Sequence, residues 1–284
     1  MRGRVLFFRS SVPIRLSLLL SLGFRISVFG FFLLTSFVCL AQPKNPAPPV
    51  LPIERAEGER LARELIANLL VQKPSEPSSN SATIRIRDAD GQRRQQPVTF
   101  QIVPTPTNYI TIYEILSSAG DHPVTKLTIG HADTKPNEYL LNLPDRFGAP
   151  FLGEQAKLGS SQLMNPFAGS DFWIADLGLE FLHWPEQRIL RKEMRKNQFC
   201  AVLQSINPNP STGYARVVSW IAINHPEDTV IVHADAYDAQ GKLLKEFDPK
   251  KIEKINGMWQ LEEMEMRNMQ TGSKTLIDFN LERK

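Results

Sequence analysis

Cysteine is nearly absent. Two in 284 residues leave no material for a disulfide framework or for a four-thiolate zinc or iron–sulfur centre. Histidine is also sparse. His122, His131, His183, His225 and His233 include no His-Glu-x-x-His sequence and no pair four residues apart, which excludes the common helical zinc arrangement. Gly-x-Gly-x-x-Gly and Walker A sequences are missing, so no phosphate-cradling loop is indicated, and there is no Gly-x-Ser-x-Gly nucleophile elbow. A surplus of one charge sign is lacking too. The formal charge is +3, but residues 1–41 contribute five arginines and no acid, leaving 28 basic against 30 acidic residues in the rest. Aromatic residues are not interleaved with basic patches, and the body of the chain carries no nucleic-acid footprint.

What is present begins with an address. After the arginines, Ile26–Leu40 form an apolar run too short to span a bilayer and suited to the core of a signal peptide. Cys39 and Ala41 place small residues at −3 and −1 of a cut before Gln42. The reading is a signal peptide at 1–41 and export to a bacterial periplasm. An uncleaved anchor and lipidation at Cys39 are the alternatives. After cleavage Cys200 is the one remaining thiol, in an apolar run, Phe199–Leu203, that fits a buried strand.

Residues 42–55 are a proline-rich linker and 56–284 a single domain. Ala56–Gln72 has leucines at 61, 65 and 69 with Ile66 and Leu70 beside them, which predicts an amphipathic helix ended by Lys73-Pro74. From Ala82 the period changes to two. Ile84 and Ile86 alternate with Arg85 and Arg87, and further strand-sized segments follow at Val98–Ile102, Tyr109–Ile115, Val124–Ile129 and Glu138–Leu143. Pro144–Asn165 has little periodicity, and Ile174–Trp184 has helical spacing at Leu177, Phe181 and Trp184. Strand character returns six times between Gln198 and Leu281. The predicted fold is α+β, mainly antiparallel: a curved meander sheet or incomplete β-barrel of about 10–11 strands, covered by an N-terminal helix and a central helical insertion. His233, Asp235 and Tyr237 share one face of a predicted amphipathic strand; that face is read as solvated, with a metal held by His233 and Asp235 as the competing reading.

Gly169-Ser170-Asp171-Phe172, preceded by Asn165-Pro166-Phe167 and followed by Asp176-Leu177, resembles the motif of the LolA-like outer-membrane lipoprotein-sorting family. The likeness continues through Cys200–Leu203, Tyr214–Ile223, Tyr237–Lys245 and the closing Trp259, Met264, Met266 and Thr275. It departs at Trp173-Ile174-Ala175 and at Ala201. The resemblance implies an open curved sheet over helices, with an apolar cavity that carries lipoprotein acyl chains without cofactor or covalent step. It implies partners among acylated lipoproteins or lipids and the inner- or outer-membrane components that transport them. Such shelter suits the physics, since each exposed methylene costs about 0.8 kcal/mol in water. The cavity-lining candidates are Leu65 and Leu69 on the helix, Phe167, Phe172, Trp173 and Leu177 in the insertion, and Ile112, Val202 and Trp220 on strands. A lipid-acting hydrolase using Ser170, Asp171 and His183, and an envelope protein that only docks partners, are the other readings.

Overall fold

A computed structural model describes residues 51–74, 76–117, 123–142, 155–210, 213–224, 229–255 and 258–280. The predicted signal segment, most of the predicted linker, His122 and His225 lie outside these residues.

Alternation of apolar and polar residues builds one antiparallel sheet of thirteen strands. The first half is β1 (Ser78–Arg87), β2 (Arg93–Pro104), β3 (Tyr109–Leu116), β4 (Pro123–Gly130), β5 (Glu138–Asn142) and β6 (Ala156–Lys157). The second is β7 (Glu186–Arg195), β8 (Gln198–Ile206), β9 (Arg216–Ala222), β10 (Val230–Tyr237), β11 (Leu243–Ile255), β12 (Met258–Asn268) and β13 (Lys274–Asn280). Each half is a meander, and β1 pairs with β13 to join them, so β6 and β7 are the two edges and the sheet does not close. One register row runs from Ile189 on β7 through Leu203, Ala234, Phe247, Met266 and Thr275 to Ile86 on β1. Ile84 and Ile86 are buried on that face while Arg85 points away and pairs with Asp278 at 2.8 Å.

Topology then dictates the cover. The chain leaves β6 at one edge and must re-enter at β7 on the other, so the intervening residues cross the concave face. They do so as short pieces: 3-10 turns at Gln162–Met164, Phe167–Gly169 and Glu180–His183, and a single helical turn, α2 (Ile174–Leu177). The helical spacing of Leu177, Phe181 and Trp184 does not give one helix, because Leu179 takes a left-handed backbone (φ 50°) that breaks it.

The second cover is α1 (Arg55–Val71). The Glu54 carboxylate accepts the N–H groups of Ala56 and Glu57 at 2.9 and 3.2 Å, capping its start. Gly58 presses on β7 so closely that a Cβ there would stand 2.5 Å from the Ile189 carbonyl oxygen. Ala62 and Ile66 are buried, with Leu61, Leu65, Leu69 and Leu70 packed beside them. Past its last turn, Lys73 reaches the Thr107 carbonyl at 2.6 Å and Asp133 at 2.7 Å, mooring the far end to loops of the first half. The helix thus spans the concave face from the edge strand to the opposite side.

Two apolar clusters result. Leu163, Phe167, Phe172, Ile174 and Leu177 fill the concavity of the first half and of β12–β13; α1, Phe181, Leu182 and Trp184 fill that of β7–β10. The structure has two strands that the pattern does not reveal. β6 is two residues long, and β7 carries six charged residues in ten and a register shift between Ile189 and Arg191. Charge on an edge strand guards it against pairing with another chain and erases the alternation that would identify it.

Candidate functional site

The two clusters meet at a cavity of about 30 Å³, room for one or two waters. Phe247 and Met266 form its floor, Ala234 and Ala236 leave space on β10, and Phe181, Leu179 and Tyr214 close it from above. Two charged groups line it: Lys245 from β11 and Asp176 from α2.

Lys245 is the centre of a latch. Its side chain is 2% exposed. Its ammonium donates to the Asp171 carbonyl at 2.6 Å, lies 3.5 Å from the centroid of the Trp173 ring, and is 3.9 Å from Asp176 Oδ2. Burial lowers the Lys245 pKa to about 8, against the pull of Asp176 and Asp171. Asp176 is raised by burial, offset by Lys245, by the Trp173 N–H at 2.7 Å and by the Tyr214 hydroxyl at 3.1 Å. Tyr214 stacks on Trp173 with centroids 4.4 Å apart. An indole, a phenol, an ammonium and a carboxylate therefore pin the insertion to β11 from inside.

The Gly169–Phe172 motif extends that latch along the sheet. Gly169, in the left-handed region at φ 62°, turns its carbonyl to Arg94 Nη2 at 2.5 Å. The Asp171 N–H donates to Thr275 Oγ1 at 2.9 Å, and its carboxylate accepts from Ser273 at 2.6 Å and Thr275 at 2.8 Å. Phe172 is buried, edge-on to Phe247 at 6.4 Å. These residue types are needed because the crossing segment has little backbone pairing of its own and must be held by side chains.

A second seam holds the insertion to β5. Asn137 Nδ2 donates to the Gly178 carbonyl at 2.7 Å, and the Tyr139 hydroxyl donates to Glu180 Oε2 at 2.9 Å. Burial raises Glu180 to about 7, although the Tyr139 hydrogen bond pulls it down. Nearby, His131 is lowered to about 4, chiefly by burial and then by His183, and bonds Thr111 Oγ1 at 2.8 Å.

The sequence-derived candidates divide. Phe167, Phe172 and Leu177 sit together in the first cluster, while Leu65, Leu69 and Trp173 pack on the second. Val202 and Trp220 do not join them: with Cys200 and Val218 they form a third cluster on the convex face of β8–β10. Ile112 alternates with the buried Thr111 and Tyr113 and so lies on the convex side of β3. Phe199–Leu203 is apolar on both faces, and no alternation told the two apart. The Ser170 hydroxyl is engaged with the Phe172 backbone, its Oγ accepting that N–H at 3.1 Å, and Asp171 is spent on Ser273 and Thr275, so Ser170, Asp171 and His183 do not form a relay. The face of His233 is not solvated. His233 is 6% exposed, bonded to Asp235 at 2.7 Å and edge-on to Trp220, so this convex pair is a packed one. Among the described residues there is no group of three metal-ligating side chains. Lys245 and Tyr214 were the omissions; one lysine in a strand gives no sign that it faces inward.

Solved structures share this fold. The chain is similar to a putative outer membrane lipoprotein-sorting protein domain from Vibrio parahaemolyticus, at 20% identity and TM-score 0.64 over 80% of this chain and 91% of that one. It is similar to a DUF1329 family protein from Desulfovibrio piger, at 18% identity and TM-score 0.63 over 78% and 91%. A LolA superfamily protein from Nitrosomonas europaea matches at 15% identity and TM-score 0.55 over 79% and 92%. A family model described as an uncharacterized protein matches residues 149–282, the part that holds the motif and the latch. Among curated proteins there is no match. The chain shares the fold of these solved structures, one of them a LolA superfamily protein, and the resemblance read from its motif holds at the level of fold.

Proposed function

We propose that this is an exported, periplasmic carrier of acylated cargo, lipoprotein or lipid, that works by non-covalent shelter and without a cofactor. The observation behind this reading is how the concave face is covered. Two separate segments, α1 and the insertion, lie across one long apolar face, and the insertion is held by a compact polar latch. Ligand pockets for molecules of drug size span roughly 300–1,000 Å³. The present cavity of about 30 Å³ is a closed state, and cargo enters as the insertion shifts away from Phe247 and Met266. Leu65, Leu69, Phe167, Phe172, Trp173 and Leu177 are the covering side chains that then contact the chain. The names of the similar structures, a lipoprotein-sorting domain among them, support the same assignment.

Titration of delipidated protein with a fluorescent fatty acid tests this. Saturable binding at one or a few sites is expected, several-fold weaker in Trp173→Ala. Absence of saturable binding, or a Trp173→Ala protein with unchanged affinity, would overturn the assignment.

A further inference from the structure

The close partners of the Lys245 ammonium all belong to the segment that covers it. Lys245 sits on β11, two residues before Phe247 on the concave face, with the small Ala236 as its cross-strand neighbour. It bonds the Asp171 carbonyl, lies over the Trp173 ring and faces the Asp176 carboxylate, and all three residues are in the insertion. The carboxylates that act on its charge are the same Asp176 and Asp171.

Asp176 is held from two sides. The Trp173 N–H comes from the insertion itself, at 2.7 Å. The other two groups come from the sheet: the Tyr214 hydroxyl at 3.1 Å and the Lys245 ammonium at 3.9 Å, both directed at Oδ2. Tyr214 is 2% exposed and stays with the sheet, because Asn207 Nδ2, next after β8, donates to its carbonyl at 2.7 Å. An ammonium and a phenol hydroxyl thus converge on one carboxylate oxygen at the wall of the apolar cavity. The carboxylate reaches them from the part that moves.

Shifting the insertion without replacing that carboxylate leaves a cation in apolar surroundings. An unpaired buried charge is costly, whereas an anion landing in the same place keeps it compensated. An uncharged head brings no compensation, and Lys245 must then lose its proton or draw water into the cavity.

We propose that Lys245 and Tyr214 form a head-group subsite: the cargo carries an anionic head, a carboxylate or a phosphate, that displaces the Asp176 carboxylate as its chain displaces the insertion from Phe247 and Met266. This rests on the carrier reading and narrows it, from acylated cargo in general to acyl chains with an acidic end. Asp176 is the internal stand-in that keeps the subsite neutral while the insertion is down.

Displacement of a fluorescent fatty acid from delipidated protein tests it, with dodecanoate, dodecyl phosphate, dodecanol and dodecyltrimethylammonium as competitors below their micelle concentrations. The competitors share a chain and differ at the head. Both anions are expected to compete about tenfold better than dodecanol, the worth of one charge-assisted hydrogen bond, and the cation worse than dodecanol. The better anion names the source, a free fatty acid or a phosphate-headed lipid. Lys245→Met/Asp176→Asn removes the cation and its stand-in together and is expected to bring the anions within about twofold of dodecanol. Tyr214→Phe, which keeps the ring beside Trp173, is expected to weaken the anions alone by about threefold. Dodecanol that competes as well as the anions, or a Lys245→Met/Asp176→Asn protein that melts cooperatively and keeps their preference, overturns the head-group assignment and leaves the carrier reading standing. Absence of saturable binding by the fluorescent acid and by all the competitors overturns the carrier reading and this assignment with it.

Discussion

Replacing Lys245 by methionine tests whether the insertion is held as described. The side chain keeps most of its length and its apolar stem and loses the charged, donating ammonium. Asp176 is then left buried with a backbone N–H and the Tyr214 hydroxyl, the Asp171 carbonyl loses a donor at 2.6 Å, and the Trp173 ring loses its cation. Breaking a buried ion pair by removing one partner costs about 3–5 kcal/mol, and for a protein of this size that lowers the thermal midpoint by about 6–20 °C. Most of the cost is the stranded carboxylate, so Asp176→Asn added to Lys245→Met is expected to restore about 2 kcal/mol, a coupling measured by the double-mutant cycle. The pH dependence has a definite sign. With Lys245 gone, Asp176 is raised further, and a carboxyl raised by folding is stabilised protonated. The deficit of Lys245→Met therefore shrinks as pH falls and grows as pH rises through the carboxyl's folded value. Denaturant unfolding followed by tryptophan fluorescence reads all three effects. A cost for Lys245→Met below about 1 kcal/mol, or an Asp176→Asn change that adds to the loss, would refute the latch.

Other outcomes follow from the same geometry. Burial raises Glu180 from the ordinary 4.5 to about 7, so the stability this group contributes is present at acid pH and is lost as pH rises from about 4.5 through 7; Glu180→Gln should flatten the melting curves between pH 5 and 8 and gain about 2 kcal/mol at pH 8, partial exposure reducing the full linkage. Gly58→Ala should lose about 1–3 kcal/mol by lifting α1 off the Ile189 carbonyl, measured by urea unfolding, with Gly178→Ala similar because its Cβ would strike the Tyr139 phenol. Cys200 is fully buried and its thiol is raised by that burial, so native protein should react with a thiol reagent only at the rate of unfolding.

The sequence foretold much of this architecture where a pattern has a single cause. Leucines every four residues placed α1 within one residue of each observed end. The predicted meander sheet also followed, with alternating strand-sized segments joined by short connections. Facing is where pattern reading stopped. Cys200, Val202 and Trp220 are as apolar as Ala201, Leu203 and Ile221, and only register shows that the first set lies outside and the second inside. The candidate site was legible in its motif but not in its mechanism of holding. Ser170 and Asp171 read as chemistry, whereas the structure uses their hydrogen bonds to fasten a crossing segment, and the lysine that completes the latch comes from a strand 74 residues away.

Native mass spectrometry of the protein expressed in a periplasm and purified without detergent, with extraction of acylated species from the same sample, addresses the central claim most directly. The carrier account predicts a stoichiometric, intact lipid or lipopeptide, displaced by added fatty acid. A clean apo mass that also ignores added acyl probes would mean that the concave face is permanently filled. Lyso-products accumulating over time would mean that the protein is a hydrolase, and either result would contradict the account.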